Sequence, residues 1–262
     1  MSWLQALPDG TRVIHFGSVS STNGLAMQRA FDGERGPLWV VADEQTQGKG
    51  RSGRTWTSVP GNLYASLVAH IACPREATPQ ISLVAGVAVW DAVVAADGSA
   101  RALPLRLKWP NDVLIGTRKA GGILVETTSP GVGEGVVVVI GVGLNLAGHP
   151  AGLAPMATDL ASHGCRISPR PMLEALAQCM RSWLERWAAG RGFDAVRLAW
   201  LERAGPIGQP LAVNSGKGVV RGTFGGLERD GALVLVRDDG SRERFTFGDV
   251  TIPAPPHNEG SS

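Results

Sequence analysis

Three cations alternate with three glycines in QGKGRSGRTW (47–56): Lys49, Arg51 and Arg54 lie between or beside Gly48, Gly50 and Gly53. Glycine lets backbone N–H groups approach an anion closely, and Lys and Arg neutralise phosphate or carboxylate oxygens. From Gln45 to Arg75 the chain holds no Asp or Glu, so this positive charge has no local counterweight. The same glycines also spell G-x-G-x-x-G, the dinucleotide fingerprint. That fingerprint must end a strand and open a helix whose N-terminus faces a pyrophosphate. Here TWTSVPGN (55–62) follows, and its Pro, Gly and β-branched residues oppose a helix. No acidic residue ends a second strand at the expected distance either. A flexible basic loop that binds an anion is the better reading, with a solvated hairpin as the plain alternative.

A second polar stretch is KWPNDVLIGTRKAGGILVE (108–126). Lys108, Asn111 and Asp112 surround Pro110, which holds its predecessor extended, and Arg118 and Lys119 precede Gly121-Gly122. An Asp among several cations stays ionised with a depressed pKa. A hairpin with a charged tip, or a Lys108 that merely covers Trp109, reads the same residues without chemistry. A third stretch, GVGLNLAG (141–148), ends a strand in Gly141 and Gly143; it suits either a tight bend or the floor of a pocket. In the fourth, VSSTNGLA (19–26), Ser21 and its neighbours suit a helix N-cap, and their hydroxyls can also serve a polar ligand.

The elements that must position these residues can be read from periodicity. Strands are expected at 12–17, 37–44, 62–71 and 135–145, with a helix capped by Ser20 or Ser21 running through Phe31. A mostly apolar helix is expected at 79–97, and a hairpin turning near Gly116 within 111–128. From Ser168, with Pro169 at the first helical position, Leu173, Leu176, Met180, Trp183 and Trp187 repeat along one helical face. Strict βαβ alternation is absent, so the fold class is α+β with a mixed sheet. Gly205–Ile252 changes to short alternating segments separated by Asp230-Gly231 and Asp239-Gly240, the signature of a small five-stranded barrel of SH3-like type. The expected organisation is a catalytic domain over 1–204, the small barrel over 205–253 and a disordered tail over 254–262.

Composition narrows the function classes. The chain has 262 residues, 44% hydrophobic and 18% charged, with a net charge of +2, which marks neither a nucleic-acid nor a membrane-surface binder. Three widely spaced cysteines read as thiols in a reducing, cytoplasmic compartment, and five scattered histidines lack metal-ligand spacing. The N-terminus lacks the pattern of a signal peptide, and the apolar stretch Ala77–Trp90 is too short to span a bilayer.

Taken in order, the four stretches resemble the biotin protein ligase family. Its glycine-arginine loop, G-R-G-R-x-G-R-x-W, corresponds to Gly48–Trp56, and its K-W-P-N-D to Lys108–Asp112. Its R-K-x-x-G-I-L-V-E corresponds to Arg118–Glu126, its S-T-N to Ser21–Asn23 and its G-x-G-x-N to Gly141–Asn145. The resemblance implies a class II synthetase-like catalytic domain with an SH3-like C-terminal barrel. It also implies a two-step reaction in which biotin and MgATP give biotinyl-5′-AMP and pyrophosphate, and a lysine of a biotin carboxyl carrier protein domain then takes the biotin. Mg²⁺ would be held largely by phosphates, with no protein metal site.

The resemblance further assigns catalysis to Lys119, Arg51 and Asp112. Biotin would meet Ser21, Thr22, Asn23, Gln45, Gly48, Arg51, Lys119, Gly122, Gly141 and Gly143. ATP and the adenylate would meet Arg51, Arg54, Trp56, Lys108, Asn111, Lys119 and Asn145, with Trp56 stacked on adenine. Lys49 stands where the family usually has Arg, keeping the charge but losing the planar fork. Only about eleven residues precede the first expected strand, so a short form without a DNA-binding domain is expected, as a monomer or homodimer. The barrel segment, with six cations and six acids, gives no basic face for DNA. A lipoate or octanoate ligase is the nearest competing reading, and an SH3-like interaction module without ATP turnover the next.

Overall fold

The computed structural model describes residues 6–128, 135–153, 156–216 and 218–253; the tail expected over 254–262 lies outside them. The chain opens with β1 (Arg12–Val19), α1 (Thr22–Phe31) and β2 (Leu38–Gln45). Because α1 carries the chain back across the sheet, β1 and β2 pair in parallel. Ser21 caps α1, its Oγ accepting the Gly24 N–H at 3.3 Å. Next come the two-residue strands β3 (Gly48–Lys49) and β4 (Thr55–Trp56), then β5 (Leu63–Ile71) and α2 (Gln80–Ala96). An antiparallel meander follows through β6 (Leu105–Lys108), β7 (Asp112–Ile115), β8 (Arg118–Thr128) and β9 (Val136–Leu144). The turn between β7 and β8 places Gly116 at φ +62°, a conformation that glycine adopts without a side-chain clash.

The seven long strands form one mixed sheet in the order β1-β2-β5-β9-β8-β7-β6, antiparallel after the first pair. Alternation along β2 explains the two layers on it. Leu38 and Val40 face α1 together with Val68, Val137 and Val139, whereas Trp39 and Val41 join the larger core on the other face. In that core α2 lies against α3 (Pro169–Trp187) and α4 (Phe193–Arg203). It is apolar on nearly every side because both the sheet and the two helices cover it. Helix α4 was not evident in the sequence. The glycines at 190 and 192 before it, and an exposed Leu198 within it, blur the spacing of its buried Phe193, Val196 and Trp200.

The C-terminal strands β10 (Pro210–Asn214), β11 (Val219–Leu227), β12 (Leu233–Val236), β13 (Arg242–Phe245) and β14 (Asp249–Thr251) form an antiparallel sheet in the order β13-β12-β11-β10-β14. The five expected strands are present, and Gly231 and Gly240 turn at positive φ as their Asp-Gly pairs suggested. Trp109, 4% exposed, donates its indole N–H to the Gly231 carbonyl at 3.1 Å. This sheet is thereby tied to the turn that carries Lys108, Asn111 and Asp112.

Candidate functional site

The basic loop is an ordered hairpin. Gly48 pairs with Trp56 and Lys49 with Thr55, and the Gly50 N–H meets the Arg54 carbonyl at 2.7 Å. A 3-10 turn over Arg51–Gly53 closes it. No helix follows, so the dinucleotide geometry is absent. The C-terminal sheet holds the loop from outside. Arg51 donates to Asn111 Oδ1 at 3.2 Å and to the Gly248 carbonyl at 3.3 Å, and Arg54 meets Asp249 at 2.7 Å. Burial pulls the Arg51 pKa down from its ordinary value, and the opposite pull of Asp249 does not fully offset it.

Asp112, at the start of β7, bridges Lys119 at 2.6 Å and Lys108 at 2.8 Å. Burial by itself would raise this carboxyl, but the two ammonium groups outweigh it and hold the group below the ordinary carboxylate range. Lys108 also donates to the Val250 carbonyl of β14 at 3.0 Å. A carboxylate bound to two cations keeps its charge and is a poor proton acceptor. It fixes the Lys119 ammonium, which is 37% exposed, at the cavity wall.

On the opposite side, the β1–α1 junction meets the end of β2. Gln45 Oε1 accepts from the Thr22 N–H at 2.8 Å and from the Thr22 hydroxyl at 3.0 Å. Asn23 donates to Glu126 at 2.9 Å, and Ser66 Oγ lies 2.8 Å from Thr22 Oγ1 and 2.6 Å from Asn23 Oδ1. Fully buried Ser66 had no sequence signal, being one polar residue in an apolar strand. The glycines on β9 answer the question of floor or bend: they are a floor. A Cβ on Gly141 would lie 2.0 Å from Asn23 Oδ1, and one on Gly143 would lie 2.6 Å from the Trp56 ring. The Trp56 indole rests there, also close to Gly122, with the Lys119 ammonium 5.4 Å from its ring centroid. Trp56 Nε1 is buried without a hydrogen-bond partner among the described residues.

Two cavities meet across this tryptophan. One, of about 130 Å³, is lined by Ser21, Thr22, Asn23, Gln45, Arg51 and Asn111 together with Gly122, Gly141 and Gly143. The other, of about 730 Å³, is lined by Lys108, Asp112 and Asn145, by β14 and by an apolar wall that includes Pro150, Leu153 and Met156. Arg54, Thr55, Trp56 and Lys119 line both. Of the residues expected at the site, Gly48 lines neither, because it packs beneath the hairpin against Gln45 and the Trp56 carbonyl. Asn145 is 3% exposed, and its amide is occupied by the Thr158 carbonyl at 2.9 Å and by Asn62 at 3.4 Å. Asp249 and the wall of Pro150, Leu153, Met156 and Ala157 were missed. Their signals are unremarkable in sequence, and only the fold brings them to the site.

A small polar pocket and a larger open one thus share a cationic wall suited to anionic ligands, and among the described residues that line them there is no nucleophile-base pair. Residues 16–145 match the biotin/lipoate A/B protein ligase family, and 207–252 match the biotin protein ligase C-terminal domain. The biotin–[acetyl-CoA-carboxylase] ligase of Paracoccus denitrificans is 38% identical over 83% of this chain and 91% of its own length. The bifunctional ligase/repressor BirA of Bacillus subtilis is 30% identical over 90% of this chain and 73% of its own. Among solved structures, the Aquifex aeolicus biotin protein ligase in complex with biotin and ATP superposes with a TM-score of 0.75. It is 25% identical, over 91% of this chain and 97% of that one. The Leishmania major enzyme in complex with biotinyl-5-AMP gives 0.61 at 27% identity, over 89% and 98%. The chain belongs to the biotin protein ligase family.

Proposed function

We propose that the protein activates biotin with ATP in the two adjoining cavities and then passes it to a lysine of a biotin carboxyl carrier protein domain. The observation that carries this reading is the position of Lys119, which lines both cavities and whose ammonium is paired with Asp112 at 2.6 Å.

In the first half-reaction the biotin carboxylate oxygen forms a bond to the α-phosphorus, and the bond from that phosphorus to the bridging oxygen breaks, releasing pyrophosphate. Two anions must meet, so charge neutralisation is the main requirement. Lys119 and Arg51 supply it at the junction, and Arg54 supplies more from the hairpin. Thr22 and Gln45 are already hydrogen-bonded to each other and present the polar end of the small pocket to the ureido ring. In the second half-reaction the acceptor amine attacks the biotinyl carbonyl and AMP leaves. Lys119 then neutralises the departing phosphate.

Mg²⁺ would be held largely by the ATP phosphates and would supply further charge neutralisation there. Among the described residues no group of three or more His, Cys, Asp or Glu side chains is poised to hold a metal, and the carboxylates lining the larger cavity, Asp112 and Asp249, are paired with cations. Trp56, which lines both cavities, supplies the aromatic surface for the adenine. Lys49 lines the smaller cavity without the fork of an arginine, so the loop holds the intermediate less tightly than an arginine there would. Among the described residues no helix is long and apolar enough to cross a membrane.

The test is incubation with biotin, MgATP and a biotin-domain acceptor, followed by mass measurement of the acceptor. One added biotin, together with biotin-dependent and not lipoate-dependent pyrophosphate exchange, is the expected result. Exchange with lipoate alone would place the protein among the lipoate ligases instead.

A further inference from the structure

The chain after β9 folds back beside Lys119, and a single buried side chain organises that bend. The backbone N–H groups of Leu146, Ala147 and Gly148 converge on Asn62 Oδ1 at 2.9, 2.9 and 3.3 Å. Three donors on one atom require an oxygen there, which fixes the amide orientation. The Asn62 NH₂ therefore points the other way, donating to the Gly148 carbonyl at 2.8 Å and reaching Asn145 Oδ1 at 3.4 Å. Asn145 passes the constraint on. Its Nδ2 donates to the Thr158 carbonyl at 2.9 Å, and its N–H to the Ala120 carbonyl at 2.7 Å. Thr158 N–H then donates to the Lys119 carbonyl at 2.9 Å, and Lys119 N–H to the Met156 carbonyl at 2.8 Å.

Asn62 is 2% exposed and lines neither cavity, so it touches no substrate. We propose that Asn62 is a positioning residue for the nucleotide half of the site, acting through Asn145 and Thr158 to set the wall beside Lys119. This rests on the adenylation reading above. A merely structural asparagine would affect both substrates and stability together. The relay instead reaches the ATP-side cavity and only the backbone of Lys119, whose ammonium is held separately by Asp112, and it makes no contact with the Thr22–Gln45 end. Its disruption should therefore separate the two substrates.

Asn62→Asp is the informative change because the shape and the three-fold acceptor survive. Only the donor is replaced, by an oxygen that faces the Gly148 carbonyl and Asn145 Oδ1. In biotin-dependent pyrophosphate exchange, its KM for ATP should rise about tenfold or more, the scale of one unsatisfied buried contact, with the KM for biotin little changed. Combined with Asn145→Ala, it should add little to what Asn145→Ala does alone, since the two act in series. Asn62→Ser, small and neutral, guards against misfolding and should give an intermediate ATP effect. Unchanged ATP dependence in the Asp and Ser variants, equal loss toward both substrates, or full additivity with Asn145→Ala would overturn the proposal. Absence of exchange in the unmodified enzyme would instead overturn the adenylation reading.

Discussion

At the scale of single residues, Lys119 and Asp112 are complementary. Lys119→Ala removes the charge shared by both cavities and should lower ligation by about 100-fold or more, the scale for losing one preorganised electrostatic contact. Urea unfolding of that variant should stay close to the parent, since Lys119 is partly exposed and Asp112 keeps Lys108. Asp112 carries a different prediction. Its pKa is lowered in the folded state, so its contribution to stability is fully present above the ordinary aspartate value of about 3.9. That contribution is lost as pH falls from there through the lower native value. Asp112→Asn should thus be less stable at pH 7, by an amount between the ~1 kcal/mol of an exposed pair and the ~3–5 kcal/mol of a fully buried one. The deficit should shrink in urea titrations near pH 3. A deficit equal at both pH values would show that the carboxylate charge is not what stabilises the cluster.

At the scale of elements, the β3–β4 hairpin is short and depends on its neighbours. Two residue pairs hold it internally, while Arg54–Asp249 and Arg51–Gly248 fasten it to the C-terminal sheet. The Arg54–Asp249 pair is more than 40% exposed on both sides, so Asp249→Asn should change global stability by less than about 1 kcal/mol. Its effect should fall on the loop. Trypsin should cut at Arg51 and Arg54 faster in the variant, and slow again when biotin and ATP are added. An unchanged cleavage rate would mean that Asp249 does not hold the loop. Expecting this stretch to be a flexible loop was reasonable from its glycines. Nothing local in the chain reveals the distant strand that fastens it.

At the scale of the whole molecule, the C-terminal sheet takes part in the site. It supplies a carbonyl to Arg51, another to Lys108 and a carboxylate to Arg54. The Trp109–Gly231 hydrogen bond anchors it near that point. Trp109→Phe leaves the Gly231 carbonyl without this donor, and should cost about 1–3 kcal/mol in urea unfolding. Activity should fall with temperature sooner than in the parent, as the two parts of the molecule loosen. Unchanged stability would mean that the packing of the buried ring, not the indole N–H, carries the junction.

The sequence by itself determined the family and most of the elements. The cations, glycines and hydroxyls of four short stretches picked out most of the residues that the fold brings to the two cavities, and periodicity located β1, α1, β2, β5, α2, β9 and α3, because both signals are local. It did not reveal α4, whose glycine-rich approach and exposed leucine weaken that signal. Tertiary structure decided what the residues do to one another. Gly141 and Gly143 became a floor only when Asn23 and Trp56 were laid on them, and Asp112 became a doubly paired carboxylate only between two lysines. Asn62, Ser66 and Asp249 joined the site through contacts with residues 43 to 195 positions away. Such contacts depend on how strands are ordered in a sheet and how two sheets meet, which no single stretch of chain encodes.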